Sequence, residues 1–214
     1  MIGYFGKISE RGDFVTFGLP APVTGAWDRW LSGMLQEAVD VYGPDWPSIY
    51  ENAPLWQFHL APDCLRSPSG RLKRGLAGIM APSSDQVGRS FPFMVGRVVG
   101  AKDIPGQAWF AQLARLMHLG RTGSFSAFHE AIKAAGVNPD APSNAGRPSS
   151  SLMSPCSGWP YGQGLPAGMS LWAPMGVKPG ILLCRQHMPK TADSALFFAQ
   201  PGKIWAESCQ LIEG

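Results

Sequence analysis

The chain has 214 residues, 45% of them hydrophobic, only 15% charged, and a formal net charge of +3. That length allows one large domain or two small ones with a real core. So weak a charge does not predict nucleic-acid binding, and none is expected. Eight tryptophans speak against disorder, and 26 glycines with 20 prolines point to a loop-rich globular body. Cys64, Cys156, Cys184 and Cys209 lie too far apart for a metal knuckle or a disulfide scaffold. The N-terminal residues lack the apolar stretch of a signal peptide, and no run reaches the length of a membrane span. A reduced, cytoplasmic protein is expected, with no membrane insertion, metal or cofactor.

From the N-terminus, residues 3–15 are short apolar pieces broken by Gly3, Gly6 and Gly12. They predict a short strand, a turn and a second extended piece ending at Phe17. Gly6-Lys7 invites comparison with a phosphate-binding loop, but the upstream glycine is missing and Ile8 stands where Ser or Thr would hold magnesium. A local ion pair between Lys7 and Asp13 is expected instead. Apolar residues then recur at three and four from Trp27 to Tyr42, predicting a helix over 26–42 with Pro20 and Pro22 before it and Gly43-Pro44 ending it. A short helix over 46–52 and a strand over 55–61 follow. The lone His59 of that strand reads as a hydrogen-bonded structural histidine. Arg71, Lys73 and Arg74 form the one basic cluster, in a Ser/Gly/Pro-rich stretch. A solvated loop is the simpler reading of it, a phosphate-facing patch the alternative.

Residues 77–81 and 91–99 are apolar runs of strand length bounded by Gly and Pro, so each reads as a buried strand. The polar turn between them, 82–90, carries Asp85 and Arg89, four apart and able to pair across one helical turn. A charged pair at the exit of a buried strand is where α/β proteins keep their sites. Structural ion pairs sit in the same place, and both readings stand at this point.

Pro105 predicts the start of an amphipathic helix ending near Gly120, and Ser124 is a good N-cap for a helix over 125–135 stopped by Gly136. His118 and His129 have no carboxylate or cysteine at ligand spacing. More than half of residues 136–168 are Gly, Pro or Ser, which predicts a long loop. Leu152, Met153, Trp159 and Tyr161 within it suit packing over the body or docking to a partner. Strand signals return at 169–173 and 181–185, a short helix at 191–199 and a mixed segment at 204–212. Strands interleaved with helices indicate an α/β fold, one sheet with helices on its faces. There is no nucleophile elbow, no dinucleotide fingerprint and no nominable pair of carboxylates, so catalytic residues are not assigned.

The two polar turns also carry a family likeness. Gly3-x-Phe5-Gly6-Lys7, then Gly12-Asp13-Phe14-Val15, Leu19-Pro20 and Trp27, resembles the opening of the TagF proteins associated with bacterial type VI secretion systems. Trp56-x-Phe58, Gly78 and Met80-Ala81-Pro82-Ser83-x-Asp85-x-Val87-Gly88-Arg89-x-Phe91-Pro92 continue the match, and Ser170-Leu171-Trp172 is similar to a later element of that family. The chain departs from the pattern at Ser9, at Ala173 and over 184–189. The resemblance implies a single TagF-like domain over 1–214 with a three-layer α/β sandwich fold. It implies a non-enzymatic accessory protein that restrains assembly of the secretion machine after translation. The implied partner is the forkhead-associated-domain scaffold protein of that system, through an interface of about 1,200–2,000 Å². Trp159 or Trp172, if exposed, would then serve as anchors. The alternative is a small-ligand-binding or hydrolytic enzyme, with Lys7 and Arg89 as anion clamps and Asp13 or Asp85 as base. It requires both turns to surround one pocket.

Overall fold

The apolar runs on either side of the Asp85 turn pair as neighbouring antiparallel strands, from Gly75 opposite Val99 to Ala81 opposite Phe93. The computed structural model describes residues 1–103, 105–137, 165–175 and 183–198. Its elements in chain order are β1 (Gly3–Gly6), β2 (Val15–Phe17), α1 (Ala21–Tyr42), α2 (Trp46–Glu51), β3 (Trp56–Leu60), β4 (Arg66–Ser67), β5 (Gly70–Arg71), β6 (Gly75–Ala81) and β7 (Phe93–Val99). They continue with α3 (Gln107–Thr122), α4 (Phe125–Val137), β8 (Met169–Pro174), β9 (Leu183–Gln186) and α5 (Ser194–Phe198). Seven strands form one antiparallel sheet in the order β2-β1-β7-β6-β3-β8-β9, and β4 and β5 make a separate small hairpin.

Helices cover both faces of the sheet, giving the three-layer α/β sandwich. Strand side chains alternate between the two layers, as a period of two requires. Leu76 and Met80 of β6, with Trp56, Phe58 and Leu60 of β3 and Trp172 of β8, join Trp27, Leu31 and Met34 of α1 and Phe197 of α5 in one core. Ile79 and Ala81 of β6, with Phe93 and Val95 of β7 and Tyr4 of β1, join Leu113 and Met117 of α3 and Phe128 and Ile132 of α4 in the other. Covering on both faces is why β6 is apolar throughout and buried at every residue.

Several bounds differ from the sequence expectation for local reasons. Helix α1 begins at Ala21 and takes in Pro22, because proline has no N–H to satisfy and its φ suits the first turn. The β4–β5 hairpin falls in a stretch read as loop, since two-residue polar strands leave no periodic signal. Ser124 caps α4 as expected, its Oγ accepting the N–H of Ala127 at 3.2 Å. His59 is buried on β3, but among the described residues its Nε2 lacks the expected hydrogen-bond partner. Burial pushes its pKa down to about 4, against a minor opposing influence of Asp103, so the ring is neutral. The segment 204–212 and most of the loop 136–168, Trp159 included, lie outside the described residues.

Candidate functional site

The residues of the two polar turns meet at one end of the central strands. Gly6 closes β1 at φ +135°, where a Cβ would stand 2.3 Å from the carbonyl oxygen of Pro92, just before β7. Only glycine allows that approach. Lys7 follows, buried, with its Nζ 3.1 Å from Oδ2 of Asp85, itself fully buried at the side chain. Asp85 also closes its own turn. Oδ1 accepts the backbone N–H groups of Val87 at 3.1 Å and Arg89 at 2.9 Å, and Oδ2 accepts Nε of Arg89 at 2.7 Å. Gly88 supplies the left-handed residue this turn needs, at φ +83° with open space beside it.

The turn is then tied to the segment after β1. Arg89 Nη2 donates to the carbonyl of Gly12 at 2.6 Å, and the N–H of Gln86 donates to the carbonyl of Arg11 at 2.9 Å. Tyr50 of α2 clasps the start of the turn, donating its hydroxyl to Ser83 O at 2.7 Å and accepting Ser83 N–H at 2.9 Å. Sequence reasoning missed Tyr50, because nothing local links it to a residue 33 positions on. Over this network lies Phe14, stacked on Phe5 at 5.4 Å between centroids and edge-on to Phe91 at 4.7 Å. The Lys7 ammonium sits 5.3 Å from the Phe14 ring centroid.

Lys7 therefore pairs with Asp85 and not with Asp13. Asp13 is exposed and its Oδ1 accepts the following N–H, of Phe14, at 2.7 Å. An exposed carboxylate is screened by water, whereas a buried ammonium requires a close counter-charge. The Lys7/Asp13 and Asp85/Arg89 turns thus form one knot centred on Asp85, with Asp13 at its rim.

Chemically the knot is closed at its centre. A carboxylate has about four acceptor positions, and Asp85 receives Val87 N–H, Arg89 N–H, Arg89 Nε and Lys7 Nζ. Burial alone would raise its pKa. The Arg89 N–H and the Lys7 and Arg89 side chains outweigh burial and hold it well below the usual carboxylate range. Such a group is a poor base. Trp172 is not an exposed anchor either: it is fully buried on β8, 5.1 Å between ring centroids from Phe58 and 5.0 Å from Phe197. Among the described residues no group of three His, Cys, Asp or Glu is placed to hold a metal ion, and no helix is long and apolar enough to cross a membrane.

Residues 3–135 match the family model of the TagF N-terminal domain, described as type VI secretion system-associated. The chain belongs to the TagF family. Among solved structures, this TagF chain is similar to PA0076 from Pseudomonas aeruginosa PAO1, with a TM-score of 0.74 and 27% identity over 95% of this chain and 96% of that one. No curated protein matches it. Every residue of the knot lies within the TagF-matched span, while β8, β9 and α5 lie beyond it. The fold likeness to PA0076 spans nearly the whole chain, so it extends past the TagF-matched residues.

Proposed function

We propose that this TagF-family chain restrains assembly of a type VI secretion machine after translation. It acts in the cytoplasm by binding the forkhead-associated-domain scaffold protein of that system, with no catalytic step of its own. Membership of a type VI secretion-associated family supports the first part. The observation that supports binding over chemistry is the closure of the knot: Asp85 is held by Lys7, Arg89 and the backbone, so it is a poor base and Lys7 is no free ammonium clamp. The same turns hold two of the exposed large apolar residues, Phe14 at 40% and Val87 at 70% exposure. A rigid turn presenting apolar side chains suits a partner surface.

The test is capture of the scaffold protein from a lysate containing the secretion proteins, using wild type, Val87→Asp and Arg89→Ala, each with a thermal melt. Wild type should capture the scaffold, and Val87→Asp should lose it with an unchanged melting temperature. Arg89→Ala should lose stability and capture together. Failure of the wild type to capture the scaffold overturns the regulator reading. Capture by Val87→Asp at the wild-type level moves the interface away from the knot.

A further inference from the structure

A second cleft stands apart from the knot, between α1, the β4–β5 hairpin and the chain just after β9. Its volume is about 350 Å³ and it opens to solvent, which is enough for a small ligand. Arg29, Arg66, Arg71 and His187 line it together with Trp30 and Met188. Arg71, read from the sequence as part of a solvated loop or a phosphate-facing patch, lies opposite Arg66 in the hairpin and is brought here beside Arg29 of α1.

Three features suit this cleft to an anion. The first is charge. Among the described residues no carboxylate lies within ion-pair distance of Arg29, Arg66 or Arg71; the same holds for Arg11, Arg74, Arg115 and Arg121, but these three line one cleft. The nearby acid, Asp63, is taken by Lys73 at 2.9 Å.

The second is backbone conformation. Among the described residues the non-glycine positions with positive φ are Asp63 at 66° and His187 at 67°. Both contact Arg71, which donates Nη1 to the Asp63 carbonyl at 2.8 Å and lies 3.0 Å from His187 Nδ1. Left-handed non-glycine residues persist only where their surroundings impose them, and they gather at ligand clamps. His187 is so imposed: its carbonyl accepts Ser170 Oγ at 2.6 Å, and its N–H donates to Gly168 O.

The third is the pairing of two donor side chains. Arg71 approaches both ring nitrogens of His187, Nη1 to Nδ1 at 3.0 Å and Nη2 to Nε2 at 3.4 Å. Arginine only donates, and a neutral imidazole carries an N–H on one of its nitrogens, so both side chains offer donors to an anion in the cleft.

We infer that this cleft binds a phosphate-bearing small molecule, with the phosphate held by Arg29, Arg66 and Arg71 and the less polar body laid against Trp30 and Met188. Three guanidinium groups exceed what one carboxylate can use, while a phosphate offers enough acceptor oxygens for forked contacts to each. The ligand is held and not transformed. The one thiol in the cleft wall, Cys64, is buried, and burial pushes its pKa up to about 12, which leaves it unreactive. This inference does not depend on the proposed regulatory role.

The test is titration of the purified full chain with inorganic phosphate, AMP and citrate at constant ionic strength, followed by tryptophan fluorescence and calorimetry. AMP should saturate with a Kd at or below about 1 mM, more tightly than inorganic phosphate. Arg29→Gln and Arg71→Gln should each weaken it by about tenfold or more, while Lys133→Gln, on α4, should not. Arg29 is exposed, so its variant keeps the test valid should loss of Arg71 disturb the hairpin. Absence of saturation by either phosphate probe up to about 10 mM overturns the inference. So does equal binding by wild type and Arg29→Gln, or tighter binding of citrate than of AMP.

Discussion

Replacing Asp85 by Asn would leave the Lys7 ammonium buried beside a neutral amide, and would take one acceptor position from the turn that Asp85 closes. An unpaired buried charge costs more than the pair it belonged to contributed. Asp85→Asn should therefore lower the melting temperature more than Lys7→Met, which removes the charge that needs a partner. The double variant should fall by less than the sum of the two. Three thermal melts against wild type check this, and strict additivity would mean that the two side chains do not act as a pair. His59 gives a separate signature in pH. Its folded pKa of about 4 lies below the usual 6.5, so between these values the unfolded chain binds more protons and stability falls as pH is lowered. The loss should total on the order of 3 kcal/mol, at most about 1.4 kcal/mol per pH unit. Asp85 adds its own loss only below its ordinary 3.8. Urea unfolding of wild type and His59→Phe from pH 7 to pH 4.5 should show a slope in wild type that the variant lacks.

At the scale of elements, the segment after β1 holds more than the knot. Glu10 accepts the N–H of Phe125 at the start of α4, and Arg11 lies over the Phe125 ring at 4.5 Å. An acid at a helix N-terminus satisfies free donors and complements the dipole. Helix α4 therefore has two caps, one local, from Ser124, and one tertiary, from Glu10. Ser124→Ala should cost about 1 kcal/mol, and Glu10→Gln a smaller amount that shrinks as salt is added. Denaturant melts at low and high ionic strength separate the two.

At the scale of the molecule, the sheet and one of its cores run past the TagF-matched span. Strand β8 pairs along the whole of β3, from Leu60 opposite Ser170 to Trp56 opposite Pro174. Trp56 Nε1 donates to Phe197 O at 3.0 Å, and Trp30 Nε1 to Pro189 O at 2.9 Å. A fragment ending at Val137 would bare the edge of β3 and remove Trp172 and Phe197 from one core. Exposed strand edges and an open core favour association. The fragment should elute as aggregate and lose the near-ultraviolet tryptophan signal of the full chain. A monomeric fragment with a cooperative melt would contradict this.

The layered fold is legible in the order of residues, because periodicity of two and of three to four is a property of neighbours. Residues 77–81 and 91–99 read as buried strands, and the stripe from Trp27 to Tyr42 read as a helix. The sequence also singled out Gly6, Lys7, Gly12, Asp85, Gly88 and Arg89, the residues that meet in the knot. Which of them pair was decided only by the tertiary structure. Lys7 has Asp13 six positions away and Asp85 seventy-eight positions away, and burial chose the distant one, since local spacing carries no information about dielectric or depth. The Arg29, Arg66, Arg71 and His187 cleft was legible only as the alternative reading of Arg71 as phosphate-facing. Arg66 and Arg71 pair across one hairpin, but Arg29 and His187 come from distant segments that join them only after the sheet and helices have packed.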